Sequence, residues 1–359
     1  MTWVGTETLV TQPIVASLDF DDSIGIRTAT FRFRLFNAVS GENLGDLTPY
    51  IQGATLSHDT RRSVKREMSF NLGVVDAEAI NPLTDRVEVS MLLGGESYPL
   101  GRYMFTDDLE TVSTGGDQAS VQLVDEMFIV DQPLEASFGN VADITVMELV
   151  LQLLEGLPLE IDLEPSPFNG SLAAFAGSRR GGVLATLAQQ GGYETPWMDN
   201  HGTFRMIRTV DAAVAVPAFD YDTRHQIYRD TISRSTDILN APNRFTVISN
   251  SSDAIAAPIV GTYEVPPSAP HSIASRGFVL PSVSDLQADS IQQADAMART
   301  IGLRFTATET VTFSTPPDPR HDSYDVVVFE GSQWLEIAWS MSLTEGGDMN
   351  HTLTKAYTP

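Results

Sequence analysis

The chain has 359 residues, of which 42% are hydrophobic and 19% charged, a balance that predicts two to four folded domains and excludes a disordered protein. Its 47 acidic residues against 22 basic ones give a formal net charge of −25. A surface of this charge excludes general binding of nucleic acid or anionic membrane, which requires Lys and Arg, and the absence of cysteine excludes disulfides and thiolate metal sites.

Alternation of apolar and polar residues recurs along the chain and predicts half-buried β-strands. In 31–35, FRFRL, the apolar side chains point to one side and the arginines to the other. Similar segments lie at 68–72, 87–89, 121–123, 245–247, 311–313, 324–329 and 335–341. Turns that predict hairpins lie at 94–95, 115–117, 199–202 and 346–348. These patterns favour a mainly antiparallel β protein.

The first predicted helix begins at a capping box, in which the Thr145 hydroxyl and the Glu148 carboxylate bind free backbone N–H groups. Gly156 and Pro158 end it. Its predicted apolar stripe consists of Met147, Val150, Leu151 and Leu154. We therefore expect a short amphipathic helix that packs against the strands.

Two more helices are predicted. One covers 183–190 and is followed by Gly191. The other follows a second capping box at 284–287, SDLQ, and carries small residues on one face, which predicts close packing against a sheet. The residues of that face are Ile291, Ala294, Ala298 and Ile301.

The order of these elements predicts the domain organisation. Strands dominate to about residue 135, an α/β section follows to about 215, and a second β-rich region with one helix completes the sequence. The predicted domains are 1–135, 136–215, 216–285 and 286–359. The predicted fold class is mainly β with minor α. No stretch approaches the ~18–20 apolar residues of a membrane span, and the first residues lack the pattern of a secretory leader.

A search for catalytic motifs does not identify an active site. The six histidines show neither H-x-H nor H-E-x-x-H spacing and are predicted to lie mostly in polar turns: His58, His201, His225, His271, His321 and His351. The segment 95–99, GESYP, begins like a nucleophile elbow, but Pro99 replaces the second glycine and favours a turn. Neither lysine follows a glycine, so a phosphate-binding loop is excluded. No cofactor or metal is predicted.

Carboxylates are so abundant that pairs of them carry little information. Asp107 and Asp108, or the group Asp19, Asp21 and Asp22, have the residue types of a glycosidase pair or a weak calcium site. Solvated acidic loops are much the more common origin of such groups. The chain is therefore predicted not to be an enzyme.

Basic residues cluster once, in the group Arg61, Arg62, Lys65 and Arg66. A nucleic-acid patch is one interpretation, but in so acidic a chain a patch that forms ion pairs with a neighbouring subunit, or a solvated loop, is favoured. The tryptophans could form a sugar-stacking platform, although the strand pattern around them favours core packing. They are Trp3, Trp197, Trp334 and Trp339.

Several local patterns together resemble the hub proteins of phage tails, including the late control protein D group and the structural region of tail-associated proteins. The helix from Thr145 with its Gly/Pro turn resembles the element that follows the first barrel of that family. The segments 181–192 and 198–206 resemble its helix and hairpin, and 240–247 resembles the next turn and strand.

The later motifs keep the order of that family over roughly residues 50–357. They are PPDP at 316–319, DVVVF at 325–329, WSMSL at 339–343 and MNHTL at 349–353. This sequence departs from the family pattern at Tyr324, which stands where a glycine usually precedes the aspartate.

The resemblance implies two antiparallel β-barrel tube domains with an α/β insertion between them. It also implies a homotrimer whose hub ring continues the tail tube at the tail tip of a virion and passes DNA during ejection. Its partners would be distal tail and tube proteins, the tape measure protein and tip or fibre proteins. The chain itself would be synthesised in the host bacterial cytoplasm. An acidic bore would suit DNA passage, although solubility alone also accounts for the charge.

Three alternatives remain open at this stage. A wall-degrading carboxylate hydrolase would need a pair of carboxylates about 5–10 Å apart. A carbohydrate- or receptor-binding tail module would need an exposed aromatic platform. A ring that joins tube to tip would contain six copies rather than three.

Overall fold

The structure is a computed structural model. It describes residues 29–73, 80–106, 119–139, 144–170, 172–222, 228–249, 257–305 and 309–357. Several predictions concern residues outside these ranges: the carboxylates Asp19, Asp21, Asp22, Asp107 and Asp108, together with Trp3, His225 and the turn at 115–117.

The first region consists of seven strands and one short 3-10 turn at Thr48–Tyr50. The strands are β1 (Thr30–Asn37), β2 (Asn43–Asp46), β3 (Ile51–Asp59), β4 (Arg66–Leu72), β5 (Asp85–Leu93), β6 (Glu96–Phe105) and β7 (Ala119–Asp125). Phe31, Phe33 and Leu35 are buried and the arginines between them are exposed, as the alternation predicted. Gly94 and Gly95 have φ of +63° and +87°, which glycine adopts without strain, so the predicted hairpin between β5 and β6 is confirmed.

The middle region is the predicted α/β section. The helix α1 (Met127–Val130) precedes it, within the predicted limits of the first domain. The elements of the section are β8 (Phe138–Gly139), α2 (Val146–Leu154), β9 (Glu160–Leu163), β10 (Ala173–Ala174), α3 (Arg180–Gly191), β11 (Trp197–Met198) and β12 (Thr203–Met206). The capping box of α2 is confirmed, with the Glu148 backbone N–H donating to the Thr145 hydroxyl at 3.2 Å. Its buried face is rotated from the predicted stripe, because Leu149 and Leu153 are buried while Leu151 is exposed.

The last region contains further strands and two helices. Its elements are β13 (Phe219–Asp220), β14 (Tyr228–Thr236), β15 (Arg244–Ser249), β16 (Ile259–Glu264), α4 (Ile273–Arg276), β17 (Pro281–Asp285), α5 (Ile291–Phe305), β18 (Glu309–Thr315), β19 (Val326–Phe329), β20 (Ser332–Ser342) and β21 (Met349–Lys355). The chain is therefore mainly β with few helices, which confirms the predicted fold class at that level. No described helix has the length and apolar character to cross a membrane.

The predicted capping box at 284–287 is wrong. Ser284 lies in β17, which pairs in parallel with β15, and this pairing holds the backbone extended. The cap lies six residues later, where the Gln293 backbone N–H donates to the Ser290 hydroxyl at 3.1 Å. The predicted packing is confirmed for Ala294 and Ala298, which are fully buried in the cluster that includes Val247 of β15, but it is wrong for Ile291, which is 58% exposed at the first residue of the helix.

One large sheet connects the beginning of the described chain to its end. Its strand order is β14-β18-β21-β20-β3-β4-β7-β6-β5-β1-β2. In addition, β19 pairs with β20, and β13 pairs with β19. The connection is the antiparallel pairing of β3 with β20, which places Trp339 opposite His58 and Met341 opposite Leu56. The two β regions of the sequence are therefore hydrogen-bonded to each other through adjacent strands.

The hydrophobic core crosses the predicted domain boundaries in the same way. Trp339 and Met341 of β20 are buried in one cluster with Phe33, Leu56 and Phe70 of the first region. Helix α5 packs instead on β15 and β16, and a Cβ at Gly261 would lie 2.1 Å from the Ala294 carbonyl carbon. Glycine at this position therefore permits the close approach of helix and strand. The four domain limits themselves stay a prediction.

Candidate functional site

The basic cluster of the sequence lies at the turn between β3 and β4, and the structure divides it in two. Arg61 and Arg62 are exposed and form ion pairs with Asp59 and Glu67, the first with 2.7 Å between Arg61 Nη2 and Asp59 Oδ2. Lys65 and Arg66 are only 1% exposed. An inter-subunit patch therefore stays a prediction for Arg61 and Arg62, whereas Lys65 and Arg66 act within the chain.

Lys65 connects three segments that are far apart in sequence. Its ammonium donates to the Thr60 carbonyl oxygen at 2.9 Å, the Thr195 hydroxyl at 2.6 Å and the Tyr324 hydroxyl at 3.0 Å. Burial lowers the pKa of Lys65 to about 7, although Asp125 and Asp59 oppose this shift. Three acceptors match the three protons of the ammonium, so this cation fastens the first region to the middle and last regions.

Arg66 connects the same regions through a second set of contacts. Its guanidinium donates to Asn200 Oδ1 and to Asp322 Oδ1, both at 2.6 Å. The Trp197 indole N–H also donates to Asp322 Oδ1, at 3.0 Å. The hairpin turn predicted at 199–202 therefore supplies, through Asn200, an acceptor for a buried cation.

Asp125, at the end of β7, accepts hydrogen bonds from the backbone N–H groups of Arg66 at 3.0 Å and Met127 at 2.9 Å. Burial raises the pKa of Asp125 to about 6, against the attraction of Arg66. We call Lys65, Arg66, Asp125, Asn200 and Asp322 the ionic junction. Its members come from the β3–β4 turn, β4, β7, the β11–β12 turn and the segment before β19.

A second buried polar group lies beside the junction. Glu336 of β20 accepts from the Nδ1 atoms of His321 and His351, each at 2.6 Å. The Nε2 atoms of the two rings bind the Tyr221 hydroxyl at 2.9 Å and the Thr315 hydroxyl at 2.8 Å. Burial alone would raise the pKa of Glu336, but the two imidazoles hold it down to about 2. The carboxylate is therefore ionised.

Two histidines and a carboxylate are a donor set that binds zinc in other proteins. The ligand atoms of His321, Glu336 and His351 lie within 4.8 Å of one another. Each ring nitrogen and each carboxylate oxygen already has a protein partner, and each histidine binds a different oxygen of Glu336. The geometry is that of a hydrogen-bonded chain bridged by the carboxylate, and a metal ion would have to displace both Nδ1 hydrogen bonds.

The prediction that the histidines lie mostly in polar turns is wrong for His58 and His351, which lie in β3 and β21, whereas His271 lies in a turn and His321 in the loop before β19. None of these four histidines has the exposed, polar surroundings that were expected. They are buried: His58, His271, His321 and His351. The strand period gave a signal for two of these, since His58 follows Leu56 on the buried face of β3 and His351 lies between Met349 and Leu353. His201 is exposed in its hairpin turn.

A cleft of 610 Å³ opens next to the junction, between the β3–β4 turn, α3, α5 and the ends of β18, β20 and β21. Glu194 on its wall is 2% exposed and forms an ion pair with Arg304, with 2.8 Å between Arg304 Nε and Glu194 Oε2. Glu194 Oε1 also accepts the Val210 backbone N–H at 2.7 Å. This carboxylate is therefore engaged in holding α5 and does not resemble half of a hydrolytic pair.

The other sequence candidates have structural positions. Gly95 lies in the β5–β6 turn, but residues 96–99 belong to β6, so the interpretation of 95–99 as a turn holds only at its first residue, and Ser97 is a strand residue paired with Leu92. Three tryptophans are 2–3% exposed, which confirms core packing for them and removes them from a sugar-stacking platform: Trp197, Trp334 and Trp339.

Comparison with known proteins places this fold among phage tail proteins. No protein-family model matches the chain, and no curated protein matches its sequence. The 43 kDa tail protein of prophage MuSo2 from Shewanella oneidensis has a similar structure, with a TM-score of 0.57 and 11% identity over 90% of this chain and 98% of that one. The tail protein from Neisseria meningitidis MC58 gives 0.58 and 13%, over 91% and 97%.

A third structure extends the likeness to another host. Prophage tail protein gp18 from Listeria monocytogenes EGD-e has a TM-score of 0.55 and 12% identity, over 91% of this chain and 95% of that one. In each case the similarity spans nearly all of both chains. The fold therefore resembles that of phage tail proteins, which agrees with the resemblance that the sequence motifs indicated.

Proposed function

We propose that this chain is a non-enzymatic structural protein of a phage tail tip. Three copies form a hub ring that continues the tail tube and through which DNA passes during ejection. The observation that carries the proposal is the full-length similarity of its fold to phage tail proteins from three bacterial hosts. A fold by itself does not determine function, so the geometry of the chain must also suit the role.

The pairing of β3 with β20 supports a ring subunit. A hub that continues a sixfold tube with three copies needs two equivalent β units in each copy, in the form of tube-type barrels. Here the first and last β regions lie side by side in one sheet, and the ionic junction binds both to the middle region. The two units are thereby held in a fixed orientation relative to each other. A subunit that contributes two sectors of a ring requires such a fixed orientation.

The ends of the large sheet support assembly through further strand pairing. Among the described residues, β2 pairs only with β1 and β14 pairs only with β18. Exposed edges favour pairing with another chain, and cyclic oligomers commonly use such contacts. Arg61 and Arg62 are proposed to face the next subunit or layer. The proposed partners are distal tail and tube proteins, the tape measure protein and tip or fibre proteins.

Native mass spectrometry of the purified chain, alone and with its neighbouring tail proteins, tests the ring. We expect three copies in the assembled layer, and a cryo-EM map of the virion should place them at the tail tip. The variant R61Q/R62Q should lower the fraction of trimer, whereas Arg205→Gln, which breaks an exposed ion pair with Asp162, should leave it unchanged. A layer of six identical copies would contradict the trimer.

A further inference from the structure

One face of the large sheet carries small neutral polar side chains across adjacent strands. In the first row, Asn350 of β21 lies opposite Ser340 of β20, which lies opposite Ser57 of β3. The residues beside these three in each strand, such as Trp339 and His58, point into the core and are buried. The hydroxyl and amide groups of the row therefore share the outer face of the sheet.

A second row continues the same chemistry over four strands. Ser342 of β20 lies opposite Thr55 of β3, Thr55 opposite Ser69 of β4, and Ser69 opposite Gln122 of β7. Thr55 and Gln122 are exposed and Ser69 is half-buried. We call these two rows the hydroxyl face.

The neutrality of the hydroxyl face is unexpected in a chain of net charge −25. Two carboxylates border the rows, Asp59 at the end of β3 and Glu67 in β4, and each is neutralised by an arginine of the intervening turn. Further along the same sheet the outer side chains are charged, since Arg34, Glu88 and Arg102 lie in register on β1, β5 and β6. The two rows themselves therefore carry no charged side chain, and on β4 the first row is continued by Glu67, opposite Ser57, in its ion pair with Arg62.

We infer that the hydroxyl face lines the channel and lies against hydrated duplex DNA as it moves; this inference rests on the proposed function. Cationic side chains would bind phosphates by releasing counterions and would retain the DNA, while unpaired carboxylates would repel it. Hydroxyl and amide groups form hydrogen bonds with water, and replacing one such hydrogen bond by another changes the free energy only slightly. Such a face keeps a layer of water between protein and DNA and does not bind the phosphates. The lining that we propose for the channel is therefore neutral rather than acidic.

The composition of the rows disfavours a buried contact with another protein. The centre of a protein–protein interface is enriched in aromatic residues, Met and Arg, and depleted in Ser. Both rows consist of Ser, Thr, Asn and Gln without an aromatic or aliphatic anchor. The exposed large apolar side chains lie elsewhere, for example at Leu239, which is 87% exposed.

Single-cysteine labelling tests where the face lies, because the chain has no native cysteine. In the monomer, Thr55→Cys, Asn350→Cys and the control Leu239→Cys should all react with a small maleimide and with one carrying a long polyethylene glycol chain. In the assembled ring, the first two should react only with the small reagent. Reaction of both face variants with the large reagent, in a ring shown to be a trimer, would overturn the inference and leave the proposed function standing.

Added charge gives a second readout. Thr55→Lys would place three lysines in a trimeric bore, and the ring should then bind duplex DNA with an affinity that falls by up to roughly 40-fold between about 50 and 200 mM salt. Thr55→Gln, neutral and of comparable reach, should leave binding undetectable, as in the parent ring. Equal binding by the lysine variant and the parent would place Thr55 outside the bore. Failure of every variant and of the parent to form a ring would instead contradict the proposed function.

Discussion

Opposite charges meet in two contrasting places in this protein, the buried ionic junction and an exposed ladder on β1, β2, β5 and β6. In the ladder, Arg34 pairs with Glu88, and Arg102 approaches Glu88 with 3.7 Å between Nε and Oε1. Arg32 pairs with Asp46 at 3.5 Å between Nε and Oδ2. These side chains are 29–58% exposed, whereas Arg66 in the junction is 1% exposed.

This difference in burial determines whether an ion pair contributes to selecting the arrangement of the regions of the chain. The ladder connects strands that are already paired through their backbones, and water competes for each charge, so it adds little free energy. The junction connects segments that are far apart in sequence, from 59 residues for Arg66 and Asp125 to 256 residues for Arg66 and Asp322. Since an unpaired charge is costly in the interior, packings that separate these segments are disfavoured. The junction therefore selects the arrangement of the regions.

The largest effect should follow from removing the anion of the junction. Asp322→Ala leaves Arg66 buried without its carboxylate partner and also removes the acceptor of the Trp197 indole. We expect a loss of about 3 kcal/mol in the free energy of unfolding, the lower end for breaking a buried pair, because Asn200 still accepts from Arg66. Guanidinium unfolding measures it.

The matched control is Asp162→Ala, which removes the 58% exposed partner of Arg205. It should change the free energy of unfolding by less than about 1 kcal/mol. Equal losses for the two variants would mean that burial does not distinguish the junction from surface pairs.

A smaller loss is expected at the His–Glu–His chain. Glu336→Gln keeps one oxygen acceptor but presents an amide N–H₂ to the other Nδ1, so one hydrogen bond is lost unless that imidazole changes tautomer. We expect a loss of about 2 kcal/mol in the free energy of unfolding. The pKa of His321, which Glu336 helps to raise, should fall, and NMR titration of the imidazole would detect this. An unchanged titration would contradict the ionised carboxylate.

The pH dependence of the free energy of unfolding also distinguishes buried from exposed charged groups. Burial raises the pKa of Asp325 from 3.8 to about 8, with repulsion from Glu336 adding to the shift and His321 opposing it. Between these values the folded chain binds the proton that the unfolded chain releases, so stability should fall as pH rises from about 4 to about 8. In Asp325→Asn this part of the fall should disappear. Urea unfolding over this range provides the test, and parallel curves for the two proteins would refute it.

The smallest effect belongs to the ladder. Arg34→Ala should lower the free energy of unfolding by less than about 1 kcal/mol, and the loss should shrink as salt is added, because exposed charges are screened. Thermal unfolding at low and high salt measures this difference. A salt-independent loss as large as that of Asp322→Ala would remove the distinction between ladder and junction.

Local features of the fold could be predicted from sequence because they depend on neighbouring residues. The alternation at 31–35, the capping box at Thr145 and the turn at 94–95 all reappear in the structure. The Ser284 prediction failed because pairing of β17 with β15 overrode a local helix signal. A capping pattern alone does not report such long-range pairing.

The candidate site was much less accessible to sequence reasoning. Arg66 is in strand phase with the buried Met68, Phe70 and Leu72, which is a local signal of burial, but no local pattern distinguishes Lys65 from Arg61 and Arg62. The partners of the two buried cations come from distant segments and could not be predicted: Thr195, Asn200, Asp322 and Tyr324. The His–Glu–His chain likewise joins His321 from the loop before β19, Glu336 from β20 and His351 from β21. These residues come into contact only in the completed sheet.

The pairing of β3 with β20 also has a consequence for folding. The backbone groups of residues 55–59 that face β20 form hydrogen bonds only when residues 338–342 pair with them. The same pairing brings Trp339 into the core cluster that contains Leu56. Contacts of such long sequence separation slow folding, because the entropy of closing the loop precedes the gain from pairing. On the ribosome, β3 would keep one open edge until nearly the whole described chain has emerged. Folding of the first region should therefore finish only after residues 338–342 have emerged from the ribosome, and until then β3 should be a favoured binding site for chaperones.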